Sequence, residues 1–344
     1  MIEKVLAEYD LNKEELALES INNGLINQTW HIRGADKDYI LQKINTNIFK
    51  KPEIIANNIR LIADYLMQKN PEYLFVAPIK TLLNKEMSYL EQNGHFRLFP
   101  FIQNSHSINA VQNTKQAYEA AKAFGKFTKL LADFPAEKLG TPLADFHNLS
   151  LRYHQFELSL ESGNQVRIDQ STELISFIKS QRELVDIYEI ILKNPAFKLR
   201  VTHHDTKISN ILFNKVEEGL CVIDLDTVMP GYYISDVGDM IRTYTSLANE
   251  EEKDFSKINL RAEYFTAIQS GYLSEMGEVL SEEEKKYFTY AGKFMIYMQA
   301  IRFLTDHINN DVYYGARYVN HNFVRAGNQC VLLQQLIAME ATFL

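Results

Sequence analysis

The chain has 344 residues, with 36 Lys and Arg against 44 Asp and Glu and a net charge of −8. This acidic balance, with no basic block, argues against nucleic acid as the main partner. No run of about 18 uncharged apolar residues is present, and the start Met1-Ile-Glu-Lys-Val-Leu-Ala-Glu8 carries acids, so neither a membrane span nor a signal peptide is expected. Cys221 and Cys330 lack metal-ligand spacing, and Cys221 sits in an apolar strand as a reduced thiol would. The reading is a cytoplasmic chain, too long for one core and suited to two lobes.

Residues 3–20 are predicted as one amphipathic helix. Two short strands then flank a polar turn in Ile21-Asn-Asn-Gly-Leu-Ile-Asn27, and Tyr39-Ile-Leu-Gln-Lys-Ile44 is a third strand. Pro52 opens a helix to about Gln68, with Ile55, Ile59, Ile62 and Leu66 on one face. Segments 75–83, 88–91 and 96–101 complete an antiparallel sheet of about five strands. The expected fold class is α+β: a small sheet lobe over 1–102, a linker at 103–107 and a mostly helical lobe over 108–344. Helices are predicted at 114–132 and 173–192. Ser281-Glu-Glu-Glu284 forms a capping box, which starts a long helix carrying Tyr287, Ala291, Phe294, Met298 and Ile301.

Chemistry concentrates in Val201-Thr-His-His-Asp-Thr-Lys-Ile-Ser-Asn210 and Leu220-Cys-Val-Ile-Asp-Leu-Asp226. His-x-Asp-x-x-x-x-Asn followed by an apolar strand ending in Asp is the layout of a kinase catalytic loop. Phosphoryl transfer needs Mg²⁺ on hard oxygen donors and a carboxylate aimed at the attacking hydroxyl. Asp205 is therefore the expected base, and Asn210 and Asp224 the expected metal ligands. Asp226 points to the same side two residues on, and either joins the metal or ends the strand in solvent. His203 is read as a residue bonded to backbone. Backbone amides from Leu25, Ile26 and Asn27 to Gln28 are the candidates to cradle phosphate, although one glycine there is a weak signal. No Walker or dinucleotide glycine pattern occurs.

The string Thr202-His-His-Asp-Thr-Lys-Ile-Ser-Asn-Ile-Leu212, with Val222-Ile-Asp-Leu-Asp-Thr-Val-Met-Pro-Gly231 and Asp236-Val-Gly-Asp-Met-Ile-Arg242, resembles the aminoglycoside phosphotransferase and choline kinase superfamily. Within it, the chain looks most like the N-acetylhexosamine 1-kinases. The resemblance implies a protein-kinase-like two-lobed fold, ATP and Mg²⁺ as cofactors, and a small sugar as substrate. It implies phosphorylation of the anomeric hydroxyl of GlcNAc or GalNAc. It places Lys43 on the nucleotide phosphates, Pro100 and Ile102 beside adenine, an acid at Asp236 or Asp239 bracing the loop, and Arg302 and Tyr313 on the sugar. A glutamate partner for Lys43 is missing from its usual place, since Glu53 sits in the first helical turn and Asn57 and Asn58 in the next. Kinases of choline, homoserine, methylthioribose or an antibiotic, and a non-catalytic nucleotide-binding module, are the alternatives.

Overall fold

The computed structural model describes residues 1–21 and 26–343, the side chains of 342 and 343 excepted. The first twenty residues do not form one helix. Asp10 takes a left-handed φ of 58° and ends the helical run after α1 (Ile2–Ala7). The Asn12 side chain then caps a 3-10 turn, and the chain enters β1 (Ala17–Ile21). β2 (Gln28–Arg33), β3 (Asp38–Lys43), α2 (Pro52–Lys69), β4 (Ser88–Leu90) and β5 (Gly94–Pro100) follow.

These strands form a five-stranded antiparallel sheet in the order β1-β2-β3-β5-β4. The expected strand over 75–83 contributes only a bridge from Ile79 to Leu98. Pro78, with no N–H to donate, sits inside it. Alternation gives the sheet two faces. Leu41, Phe96 and Leu98 pack with Val5 and Leu6 of α1 in a small core. Ile44 joins the main core with Ile55, Ile59, Ile62 and Leu66 of α2. Pro52 occupies the first turn of α2, where its missing N–H costs nothing.

The remainder is largely helical: α3 (Thr114–Leu130), α4 (Leu149–Ser162), α5 (Gln165–Gln170), α6 (Thr172–Ser180), α7 (Glu183–Lys193), α8 (Tyr233–Tyr244), α9 (Ala262–Met276), α10 (Glu282–Lys286), α11 (Phe288–Ile308) and α12 (His321–Phe343). Two small antiparallel strand pairs interrupt it, β6 (Arg200–Thr202) with β9 (Met229–Gly231) and β7 (Ile211–Phe213) with β8 (Gly219–Val222). Region 173–192 is two helices, because Gln181 turns its N–H back onto Ile178. The capping box forms in both directions at Ser281 and Glu284, but caps only α10; Tyr287 intervenes before α11. α11 is buried on nearly every side and forms the axis of the helical part. Gly271 of α9 lets α3 approach closely, since a Cβ there would lie 2.2 Å from the Tyr118 carbonyl oxygen.

Buried and backbone polar ties join the sheet part to the rest. Asn58 of α2 is fully buried: its Nδ2 donates to the carbonyls of Gly140 (2.8 Å) and Val228 (3.0 Å), and its Oδ1 accepts from Gly140 N–H. In segment 103–107, His106 exchanges both backbone hydrogen bonds with Phe213 of β7, at 3.0 and 2.8 Å. Among the described residues, no helix is long and apolar enough to cross a membrane.

Candidate active site

The loop after β6 is held from below by α8. Asp236 accepts from the N–H groups of His203 (2.9 Å) and His204 (2.8 Å), and Asp239 accepts from Thr206 N–H (2.9 Å). The Thr206 hydroxyl donates to the Asp236 carbonyl, and the Tyr244 hydroxyl donates to the Thr206 carbonyl. These bonds fix His204 at a φ of 64°, a conformation a non-glycine residue holds only when its surroundings impose it. Gly231 of β9 is required beside it, because a Cβ would fall 2.3 Å from Thr202 Oγ1 and 2.5 Å from His204 Nε2. His203 is fully buried, with Nε2 against the Ile223 carbonyl at 3.0 Å and its ring edge-on to Phe124. Burial pushes the His204 imidazole down to about 4, so it is neutral near pH 7.

Asp205 projects from this braced turn. Its Oδ1 lies 3.0 Å from Lys207 Nζ, and its Oδ2 accepts from Asn210 Nδ2 at 3.2 Å. Burial raises this carboxyl, but Lys207, His203 and the Asn210 amide outweigh it, and the net shift is below the usual carboxylate range. Asn210 spends its amide nitrogen on Asp205, donating also to the Asp205 carbonyl at 2.8 Å. Its Oδ1 therefore remains the available donor atom. The Asn210 carbonyl accepts from Ile223 N–H at 2.9 Å, which brings the end of β8 alongside.

Asp224 follows in a left-handed turn, φ 59°. Its carboxylate forms no hydrogen bond or ion pair with the described residues and is open to solvent at the junction. Desolvation, then Asp226 and Asp205, push this carboxyl up to about 7 against the opposing pull of Arg97 and Lys207. An amide oxygen and an uncommitted carboxylate, with more negative charge beside them, suit a hard divalent cation that takes its other ligands from phosphate and water. Among the described residues, no cluster of three His, Cys, Asp or Glu forms a self-contained metal cage.

Asp226 is placed differently. Only 3% exposed, it pairs through Oδ1 with Arg97 Nη1 at 2.5 Å and accepts through Oδ2 from Asn27 Nδ2 at 2.8 Å. Asn27 Oδ1 accepts from Asn45 N–H, and the Ile26 carbonyl accepts from Asn45 Nδ2. Leu25 lies outside the described residues. Lys43 is not at the junction. It shares the Leu41 face of β3, and its ammonium sits 5.8 Å from the Phe96 ring centroid. Pro100 ends β5, and the Ile102 carbonyl accepts from the Ser105 hydroxyl at 2.6 Å.

The phosphotransferase enzyme family APH matches residues 17–274, three quarters of the chain and all of the loop just described. The chain belongs to that family. The fold of this phosphotransferase is also found in solved structures. A spectinomycin phosphotransferase in complex with ADP and spectinomycin is 16% identical, with a TM-score of 0.60 and coverage of 98% of this chain and 97% of that one. A microcompartment-associated aminopropanol kinase is 12% identical, with a TM-score of 0.66 over 99% and 97%. Choline kinase from Cryptosporidium parvum is 16% identical, with a TM-score of 0.60 over 98% and 96%.

Arg302 of α11 is 8% exposed and donates to the Tyr313 hydroxyl at 3.4 Å. Its guanidinium lies 5.4–5.9 Å from the rings of Phe146, Tyr313 and Tyr314. Asp306, one turn further along α11, accepts from the N–H groups of Tyr313 and Tyr314 and so fixes the segment carrying them. Phe146 stacks on His147 at 4.4 Å, and His147 faces His204 at 5.3 Å. This chain of contacts connects Arg302 to the residue preceding Asp205.

Sequence reasoning did not find Lys207, Arg97 or the Phe146–His147 pair. Lys207 had a readable signal, a lysine two residues past the expected base. Arg97 had one too, an arginine between Phe96 and Leu98 in an otherwise apolar strand. Phe146 and His147 had none, because their position depends on how loop 141–148 folds over the site.

Proposed function

We propose that this phosphotransferase is an ATP-dependent kinase that phosphorylates the anomeric hydroxyl of an N-acetylhexosamine, giving the sugar 1-phosphate. The observation that carries the reading is the gathering of Asp205, Asn210 and Asp224 at one junction, with Asp205 alone tied to the amide and the lysine. Asp205 orients the acceptor hydroxyl and takes its proton as the new O–P bond forms and the bond from the γ-phosphorus to the β,γ-bridging oxygen breaks, releasing ADP. Its carboxyl, held below the ordinary range, stays ionised and competent at neutral pH. Lys207 must loosen from Asp205 as the hydroxyl arrives. Asn210 and Asp224 are the residues that would hold Mg²⁺, which supplies neutralisation of phosphate charge; Asp226, as it stands, is committed to Arg97 and Asn27. The strand end at Pro100 and the backbone of Ile102 border the adenine position.

Arg302 and Tyr313 support a sugar over choline. The aromatic box of Phe146, Tyr313 and Tyr314 already contains a guanidinium. A quaternary ammonium entering there would meet a like charge instead of bare aromatic faces. A guanidinium and a phenol instead offer donors to ring hydroxyls and an acetyl carbonyl. The deciding experiment is ADP release over a panel of N-acetylhexosamines, choline, aminopropanol and aminoglycosides, with product NMR to locate the phosphate. Turnover of N-acetylhexosamines with phosphate on C1 supports the reading. Turnover of a non-sugar alone refutes the sugar assignment and keeps a kinase, and no turnover with any acceptor refutes catalysis of this kind.

A further inference from the structure

We propose that Arg97 of β5, and not Lys43 of β3, is the cation that grips the nucleotide's phosphates. The inference rests on the kinase reading above. A strand alternates its side chains between two faces, and the pairing of β3 with β5 fixes which side chains share a face. Lys43 is opposite Phe96, and Gln42 is opposite Arg97. Phe96 belongs to the small core under α1, so the lysine lies on the far side of the sheet from Asp205 and Asp224. The β3 position that does face the junction holds Gln42, which is uncharged. It serves the neighbouring strand instead, its Oε1 accepting from Arg97 Nε at 3.1 Å and Nη2 at 2.9 Å. The charge missing from β3 is thus supplied one strand over.

The position of the guanidinium fits the task. Its third nitrogen, Nη1, pairs with Asp226, two residues beyond the uncommitted Asp224 carboxylate. The other oxygen of Asp226 holds Asn27, the residue just before β2. Arg97 therefore stands between Asn27 and the candidate metal ligands, where a polyphosphate would run. It is 2% exposed and backed by the Phe99 ring at 5.1 Å. A buried guanidinium without an anion is costly. Exchanging the Asp226 carboxylate for phosphate oxygens replaces one anion with another, so the cation is paired in both states. A planar fork already aligned by Gln42 suits such oxygens better than a flexible ammonium. Asp226 then acts as the resting partner of Arg97.

The test is calorimetric titration with ADP and with adenosine in EDTA, where protein groups alone meet the phosphates. In R97Q, ADP binding should weaken at least 30-fold while adenosine binding stays within threefold, which also reports an intact site. K43Q should leave both ligands within threefold of wild type. D226N, which frees Arg97, should bind ADP as tightly as wild type or more tightly. If orphaning Asp226 unfolds R97Q, the R97Q/D226N variant is compared with D226N for the same 30-fold loss. An unchanged ratio of ADP to adenosine affinity on removing Arg97, or a loss of ADP binding in K43Q, overturns the proposal. Equal losses of ADP binding in R97Q and D226N also overturn it, since the pair is then a structural strut. Failure of the wild-type protein to bind either ligand refutes the kinase reading itself.

Discussion

At the scale of single residues, the site is set by how each polar group is paired. Asp205 stays ionised because Lys207 lies against it, so the lysine tunes the base as well as neutralising it. Replacing Lys207 with Met should raise the Asp205 pKa of the free enzyme and move the acid limb of the kcat/KM–pH profile to higher pH. An unmoved limb would mean that the pair has no influence on the base. His204 is buried and neutral, its imidazole pushed down to about 4 by desolvation. An unfolded chain would take up that proton near pH 6.5, so the stability this residue permits is complete above that pH and is lost as pH falls toward 4. The loss amounts to about 3 kcal/mol at most. Melting temperatures should therefore drop on acidification below pH 6.5, and His204→Gln should flatten that slope. A slope unchanged in the variant would assign it to other groups.

At the scale of elements, α2 and α10 carry buried polar anchors. Asn58 makes three hydrogen bonds across to Gly140 and Val228. Asn58→Ala strands a buried N–H and two carbonyls and should cost about 2–4 kcal/mol. Chemical denaturation measures this, and a loss under about 0.5 kcal/mol would show that water replaces the side chain freely. Glu284 closes the capping box and also holds Arg200 at 2.5 and 2.9 Å, fully buried. Glu284→Gln leaves Arg200 without its carboxylate and should cost about 3–5 kcal/mol, far above the roughly 1 kcal/mol of a lost cap in Ser281→Ala.

The same elements show what was legible in the sequence. The capping box, Pro52 at the start of α2 and the His203–Asn210 loop were readable because their signals are local. The residues after α1 misled, since one left-handed Asp10 and an Asn12 cap outweigh a helical pattern too short to nucleate alone. Residues 75–83 have strand-like content, but Pro78 denies them a ladder. Lys43 was placed by its position near the end of a strand, and strand parity, fixed by pairing with β5, carries it to the other face. Arg97 reaches Asp226 only through tertiary contact, across 129 positions (226 − 97); periodicity within one strand does not report that distance.

At the scale of the whole molecule, a charged junction joins an antiparallel sheet to a helical body. Buried α8 braces one side through Asp236 and Asp239, and the sheet part presents Arg97 and Asn27 from the other. The account predicts that chemistry and binding separate at one residue, because Asp205 meets the acceptor while other groups hold the nucleotide. The most direct measurement compares wild type and Asp205→Asn, with kcat on ATP and an N-acetylhexosamine in one arm and the ADP dissociation constant in the other. The variant should lose about 10³-fold in kcat, with ADP affinity within about threefold of wild type. Wild-type turnover in Asp205→Asn would contradict the account.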